Sequence, residues 1–414
     1  MKKIPRLRPL SKTLCVGGAV LGSALMTFAQ DATTLEKLAK DNQELRKRLE
    51  SLEAAAQKEG VVSSPEAKSV SALSELTVSG FVQASYFYNL KHPKDGMSDA
   101  YLFNTKDNSF SINKLKLTFA SKPVESDKWD AGFKASLMFG DDATQLNTPS
   151  AGNTSFNDLR EAYVELNIPI GTGLNIKAGE LISLLNYESG DGGAANPNFS
   201  QGNQWWFTGN GPSAGVQASY NFTDKVGLTL RIDNGLFQGP VDNNEGKAFS
   251  GSINVKPTSK LWANLYFFAD DQPASTDCIG FGTIGGYQIT EKFGTGWEFD
   301  YFHFNNAGGA ADMDLWSLGG WAWYDFTPKV SLALRADYIS SPDGVLGPAV
   351  RPGAGIITPD ADGSLGSVTL TLTYKPTPSI RIQPEVRYDY TSYKQGLDGQ
   401  QSRVIVGAGV SYLF

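Results

Sequence analysis

The sequence predicts an all-β protein, a closed antiparallel transmembrane β-barrel of about 16 strands that is preceded by a short coiled-coil helix. Apolar and polar residues alternate from residue 76 onward, and the connections between the alternating segments are short and long in turn. Both features are typical of outer-membrane barrels. No run of 18 apolar residues follows residue 30, which excludes membrane-spanning helices from the mature chain.

The composition excludes several classes of function. The 414 residues are 41% hydrophobic and 19% charged, with a net charge of -7, a balance typical of folded chains. Two Cys and two His leave little material for a disulfide framework, a metal site or an activated nucleophile. An acidic chain is also poorly suited to nucleic acid. We therefore predict no enzymatic activity, no cofactor, no metal site and no nucleic-acid partner.

Residues 1–29 have the pattern of a secretory signal peptide. A basic start that includes Lys2, Lys3 and Arg6 is followed by an apolar run over 14–28, and Ala29 completes a small-residue cleavage site. A membrane anchor is the alternative, but the run is short and lacks a second polar flank. The mature chain is therefore expected beyond the inner membrane.

Residues 30–60 predict a periplasmic coiled-coil segment, and residues 61–75 predict a linker. Leucines recur at alternating spacings of three and four, and Asn42 at a seam position would set register and oligomer number. A single amphipathic helix packed on a globular body is the alternative, but the apolar seam is narrow. The predicted oligomerisation residues are Leu35, Leu38, Asn42, Leu45, Leu49 and Leu52.

Residues 76–414 predict the barrel. In one segment Leu228, Leu230 and Ile232 alternate with Thr229 and Arg231. At a tilt near 45°, ten residues rise roughly 23 Å, close to the apolar band of about 25 Å of such barrels. A soluble β-sandwich or propeller is the alternative, with strands about half as long. The predicted strands are 76–88, 109–121, 127–140, 157–169, 172–182, 211–223, 226–234, 248–256, 260–270, 280–289, 293–304, 314–326, 329–340, 365–375, 379–390 and 402–414.

The two ends of this region predict closure. The last strand alternates apolar residues up to a terminal Phe414, as in the assembly signal of bacterial outer-membrane proteins. We expect it to pair with strand 76–88, because hydrocarbon does not tolerate unpaired strand edges.

Strand parity, which is the face of a strand that a residue occupies in the two-residue alternation, assigns the polar face of each strand to the lumen. Basic and acidic candidates nearly balance, so the sequence predicts neither anion nor cation selectivity, and cross-strand pairing that braces the wall is an alternative role. The parity breaks at strand 109–121, which predicts a bulge near Asn113. The predicted pore-lining residues are Lys116, Lys134, Lys177, Arg231, Arg335, Arg381, Arg387, Glu161, Glu165, Glu298, Asp300, Asp337 and Glu385.

Several segments resemble the beta-barrel porin 2 (OmpL-like) family of Gram-negative outer membranes. The more specific ones are Arg160-Glu161-Ala162-Tyr163-Val164 and Asn196-Pro197-Asn198-Phe199-Ser200, and the resemblance covers residues 76–223. It implies an outer-membrane porin, a water-filled channel for passive diffusion of small hydrophilic solutes or ions. It names no solute. The alternative function is a structural tether or surface adhesin with a non-conducting barrel.

The porin resemblance carries further expectations. The amino-terminal segment and the carboxy terminus would be periplasmic, and a coiled coil before a barrel suggests a homotrimer that also associates through the barrel wall. Outer-membrane lipid and lipopolysaccharide are the expected surroundings, with loop acids such as Asp142 and Asp270 available for divalent bridging.

The longest connection, 183–210, is the third outer loop. By analogy with general porins we expect it to fold inward and narrow the pore, whereas a surface cap or a subunit contact is the alternative. The predicted constriction residues are Asn186, Glu188, Asp191, Asn196, Asn198, Trp205 and Trp206.

Overall fold

The chain divides into an amino-terminal unit, up to residue 74, and a barrel unit from Glu75 to Phe414. The computed structural model describes residues 40, 43–44, 46–48, 76–98, 101, 103–143, 158–209, 211–236, 242, 244–272, 276–307, 311–341, 363–393 and 396–414.

The described residues of the amino-terminal unit are helical. Arg48 donates to Glu44 one turn away, at 2.8 Å. None of the helices in the described ranges is long and apolar enough to cross a membrane. The predicted signal peptide, the linker and all six predicted oligomerisation residues lie outside the described residues.

Sixteen strands in the described part of the barrel unit form one closed antiparallel ring in sequence order, which confirms the predicted barrel. Predicted and observed strand ends differ by a few residues. The strands are β1 Thr77–Asn89, β2 Ser109–Ala120, β3 Asp130–Phe139, β4 Leu159–Ile168, β5 Leu174–Leu181, β6 Ser213–Asn221, β7 Val226–Asp233, β8 Ala248–Thr258, β9 Leu261–Gln272, β10 Thr276–Gln288, β11 Phe293–Ala307, β12 Ala311–Thr327, β13 Val330–Ser341, β14 Gly363–Tyr374, β15 Ile380–Thr391 and β16 Ser402–Leu413.

The ring closes between β1 and β16, as the sequence predicts. Phe81 pairs with Leu413 and Asn89 with Ile405 along the ladder. Beyond it, the backbone amides of Gly80 and Phe414 each donate to the carbonyl of the other residue at 3.0 Å. The terminal Phe therefore takes part in the closing ladder, and no strand edge is left unpaired between these two strands.

The polarity of the barrel is the reverse of that in a soluble protein. Large apolar side chains on the outer face are widely exposed, such as Leu334 at 44%, whereas the inward side chain of the next residue, Arg335, is fully buried. The same alternation of exposed apolar and buried polar residues follows β7, β14 and β15. An apolar exterior around a polar interior suits lipid as the outer solvent.

Two bulges redirect inward-facing residues. Between β1 and β2 the register passes from Lys114 to Ile112 and skips Asn113, which confirms the bulge predicted there. Between β3 and β4 it passes from Glu161 to Leu159 and skips Arg160. Because a bulge shifts the alternation by one residue, adjacent side chains on one strand turn to the same face.

Candidate channel lumen

Loop 183–210 enters the barrel and makes its first anchor at Glu188. This carboxylate accepts hydrogen bonds from Arg335 of β13 at 2.9 Å and from the indole of Trp321 of β12 at 3.1 Å. It also accepts from the backbone amide of Gly202 at 2.7 Å, which ties the outgoing and returning arms of the loop together. One residue earlier, the amide of Tyr187 donates to Glu298 of β11 at 3.0 Å.

The second anchor is Asp191. Its carboxylate lies 2.6 Å from Lys116 of β2 and 3.4 Å from Arg160 of β4, and Lys114 donates to its backbone carbonyl at 3.3 Å. Burial alone would raise the pKa of Asp191, but the attraction of Arg160 and Lys116 overcomes it and lowers that pKa below its ordinary value. The loop is therefore bound through an ionised carboxylate.

The two anchors lie on opposite sides of the ring. Strand β4 is eight strands from β12 in a closed ring of sixteen, and Glu188 and Asp191 contact those two walls only three residues apart in sequence. Loop 183–210 thus crosses the interior of the barrel and is hydrogen-bonded to both sides of it.

The returning arm binds β14 and β15. The amide of Phe199 donates to Glu385 at 2.9 Å, as does Thr371 at 2.7 Å, and the hydroxyl of Ser200 also bonds to this carboxylate. Arg387 donates to the carbonyl of Gln201 at 2.7 Å and pairs with Asp389 of its own strand at 2.7 Å. These contacts leave Arg387 and Glu385 buried behind the loop.

A short helix, α1 (Asn203–Phe207), completes the loop and returns it to β11 and β12. Gln204 donates to Asp300 at 2.9 Å and to Ser317 at 2.8 Å, and Thr208 donates to the same Asp300 at 2.7 Å. Glu298 and Asp300, the inward acids of β11 that bond to the loop, are therefore buried.

The remaining predicted loop residues have internal or packing roles. Asn196 closes a turn, because its side chain accepts from the amide of Ser189 at 2.8 Å and donates to its carbonyl at 2.9 Å. Asn186 accepts from Ser183 at 2.5 Å, and Asn198 donates to Thr371 at 2.7 Å. Trp205 and Trp206 are buried within the barrel unit, and the ring of Trp205 lies 5.1 Å from that of Phe103.

Inward charges on β3, β4 and β5 differ from those behind the loop, because water reaches them. The side chains of Lys134, Lys177 and Glu165 are 32%, 26% and 21% exposed. Lys134 lies 2.7 Å from Glu161, and Lys177 lies 3.7 Å from Glu165 with its ammonium over the ring of Tyr163. Inward residues therefore include a buried set, which holds the loop from both sides of the ring, and an exposed set on β3–β5.

The other predicted lining residues, Arg231, Arg381 and Asp337, are held by partners close to them. Arg231 donates to Gln217 and to the carbonyl of Ile182, at 2.7 and 2.8 Å. Arg381 donates to the carbonyl of Pro378 in the neighbouring tight turn at 2.8 Å. Asp337 accepts from Ser367 at 2.6 Å and lies 3.5 Å from Arg335.

Sequence parity missed several residues that hold the loop. Arg160 precedes an inward Glu161, so strict alternation places it outside, and only the bulge turns it inward. Lys114 has the same parity as Lys116, but the break in alternation at Asn113 leaves its face ambiguous in the sequence. The carboxylates Asp142 and Asp270, considered for divalent bridging, are buried; Asp142 accepts from Asn113 at 3.0 Å and Asp270 from the amide of Leu236 at 2.9 Å. In the described residues, no His, Cys, Asp and Glu side chains gather into a metal-binding group.

Comparison with known families identifies the barrel. The model of the family described as "Putative beta-barrel porin-2, OmpL-like" matches residues 75–412, which is most of the chain. The chain belongs to this family. No curated protein matches its sequence.

Solved porin structures share the fold of this porin family member at low sequence identity. OprB of Pseudomonas putida is 12% identical with a TM-score of 0.56, over 84% of this chain and 96% of that one. An anion-selective porin from Comamonas acidovorans is 12% identical with a TM-score of 0.54, over 82% and 99%. OmpT of Vibrio cholerae in its trimer form is also 12% identical with a TM-score of 0.54, over 82% of this chain and 99% of that one.

Proposed function

We propose that this porin forms a water-filled channel through the outer membrane for passive diffusion of small hydrophilic solutes or ions. The observation that carries the proposal is the inward loop. It covers the charged wall of β11–β15 and leaves charged side chains of β3–β5 in contact with water. The diffusion path would pass beside loop 183–210 and along the exposed side chains of β3–β5, so that the loop forms the constriction.

The path assigns different roles to the predicted lining residues. Lys134, Lys177 and Glu165 would face the solute directly, because they alone of the pairs above retain about a fifth or more of their side-chain exposure. Arg335, Arg387 and Asp300 would instead fix the loop, because each of them is hydrogen-bonded to it. Lys116 and Glu161 would lie at the boundary of the two sets.

The surroundings of the barrel complete the proposal. Residues 1–29 would be a signal peptide, 30–60 a periplasmic coiled-coil segment, 61–75 a linker and 76–414 the barrel. The carboxy terminus would then also be periplasmic, because the tight turns lie at the same end as both barrel termini. A homotrimer in outer-membrane lipid and lipopolysaccharide is supported by the heptad spacing and by the trimer form of OmpT.

Planar-bilayer recording tests the channel directly. Purified full-length protein should insert with stepwise increases in current in potassium chloride, with each step equal to one or three unitary conductances. Insertions that are verified by protease protection and yet pass no current would contradict the proposal and favour a non-conducting tether.

A further inference from the structure

Two aromatic rings on the inner wall occupy space that glycines leave open. Gly286 of β10 and Gly296 of β11 are direct cross-strand partners. A Cβ atom on Gly286 would lie 2.6 Å from the indole nitrogen of Trp262, and one on Gly296 would lie 2.2 Å from Cζ of Tyr187. Neither glycine could therefore carry a side chain without displacing a ring. The wall is built to bring Trp262 of β9 and Tyr187 of loop 183–210 close to its backbone.

The two rings share one orientation. Their planes are parallel to within 2° and their centroids are 6.2 Å apart. Because carbon atoms in van der Waals contact are about 3.5–4.0 Å apart, parallel rings at this separation overlap only slightly. Tyr187 also packs against Trp321 of β12, with 4.4 Å between the ring centroids. Of the two rings it is therefore Trp262 whose face remains available for a third planar or ring-shaped partner.

Water reaches this surface from inside the barrel. Trp262 points inward, yet it is 37% exposed, whereas the inward Tyr266 and Phe268 of the same strand are buried. Trp262 also lines a cavity of about 530 Å³ at the tight-turn end of β5–β9. That volume lies within the range of small-molecule sites, about 300–1,000 Å³.

Amide side chains border the same cavity. Asn254 of β8 and Asn264 of β9 are cross-strand partners and both line it. Within the described residues the side chain of Asn264 has no hydrogen-bond partner, whereas that of Asn254 donates a long bond of 3.3 Å to Thr229 and accepts one of 3.0 Å from Ser252. A side-chain amide offers two donors and one acceptor oxygen, so donor and acceptor capacity remains beside the rings.

We propose that Trp262, held in parallel orientation beside Tyr187, forms a stacking platform for the ring of a neutral sugar, with Asn254 and Asn264 as its hydrogen-bond partners. The C–H face of a pyranose is apolar and packs on the negative face of an aromatic ring, while its equatorial hydroxyls extend sideways to donors and acceptors. The cavity also carries Asp224 together with Lys225 and Lys256, so charges of both signs border it. The inference rests on the proposed channel, through which a sugar would reach the platform.

Equilibrium binding tests the platform without relying on conductance. Saturation-transfer difference NMR on the detergent-solubilised full-length porin should show transfer to the ring protons of methyl β-glucoside and none to mannitol, which has similar hydroxyls but no ring. Trp262→Ala should weaken the glucoside affinity about tenfold, in line with the strength of single aromatic contacts, whereas Trp262→Phe should stay within about threefold.

Trp297→Ala is the matched control. Trp297 packs over Gly285 as Trp262 packs over Gly286, but on the outer face of the neighbouring strand, so its loss should leave glucoside binding unchanged. Equal transfer to mannitol, equal affinity in wild type and Trp262→Ala, or binding of glucose 6-phosphate without the neutral glucoside would each overturn the proposal. Bilayer conductance of the same samples reports separately on the channel.

Discussion

Single residues inside this barrel have one of two roles, and burial decides which. Arg335 is fully buried, with partners in Glu188, Ser200 and Thr369. Lys134 has one close carboxylate and keeps about a third of its side chain in water. A buried cation that is paired with carboxylates is costly to remove, whereas an exposed one changes the field in the lumen at little cost to folding.

The exposed lysines should set ion selectivity. We expect Lys134→Gln combined with Lys177→Gln to shift the reversal potential toward cations, because two positive charges facing the solute path are removed. The measurement is the zero-current potential across a tenfold salt gradient. Lys292→Gln, in the tight turn between β10 and β11, is the control and should leave the potential unchanged. An unchanged potential in the double variant would place the path elsewhere in the barrel.

Asp191 should make the loop sensitive to acid. Because its pKa is lowered, its stabilising contribution is fully present above the ordinary carboxyl pKa of about 3.9 and is lost as pH falls through the lower value. Channels should therefore keep one conductance from neutral pH to about pH 4 and become noisier at lower pH.

Asp191→Asn isolates this effect, because it preserves shape while leaving Lys116 and Arg160 without that carboxylate. We expect noisy channels already at neutral pH and a loss of folding free energy of about 2 kcal/mol. Quiet channels in the variant at pH 7 would show that the loop is held without this ion pair.

Parity identified inward residues from the sequence, but it could not separate the two roles. Lys134 and Arg335 have the same polar-inward pattern, and what buries Arg335 is a loop more than 130 residues earlier in the chain. Arg160 could not be found by parity at all, because a bulge turns it inward. The bulge at Asn113 could be predicted from the sequence, because the apolar residues before and after it lie on opposite faces of a regular strand.

At the scale of elements, loop 183–210 functions as a cross-brace between walls. Its anchors combine charge pairs with backbone groups, as at Glu188 and Gly202, and its α1 helix is buried on all five residues. The strands, by contrast, are specified locally by alternation, which is why the sequence located all sixteen within a few residues. The contacts of the loop depend on closure of the ring, which no local pattern contains.

Arg335 should be the costliest charge in the loop–wall contact. Arg335→Ala leaves Glu188 and Asp337 buried without their cation, for which we expect a loss of about 3 kcal/mol or more in the free energy of unfolding. Urea unfolding of the barrel in lipid vesicles measures it. Arg381→Ala, which removes bonds only to backbone carbonyls at the barrel end, should cost less than 1 kcal/mol, within the range of an exposed contact. Equal losses would contradict the bracing role.

At the scale of the whole molecule, apolar side chains face outward and charged side chains face inward, which is the reverse of a soluble protein. The outer face exposes Val164, Leu318 and Val386 at 50% or more, and the interior holds the ion pairs. Composition alone could not show this, since a mean hydropathy of -0.25 is that of an ordinary soluble protein. The barrel was predicted from the two-residue alternation together with the length of the strands. The alternation separates the apolar face of a strand from its polar face, whereas a mean hydropathy averages the two.

Removal of residues 30–60 should separate assembly from conduction. The heptad spacing predicts that this segment joins copies of the chain, in the proposed oligomer three of them, while the barrel closes on its own between β1 and β16. We expect the truncated porin to fold and to conduct with the same unitary conductance, but to sediment as a monomer in detergent and to insert in single steps. Asn42→Leu in the full-length chain is the companion variant, because an apolar residue at that seam position relaxes oligomer number without removing the helix. If the truncated protein remains a trimer, the barrel wall must supply the interface by itself.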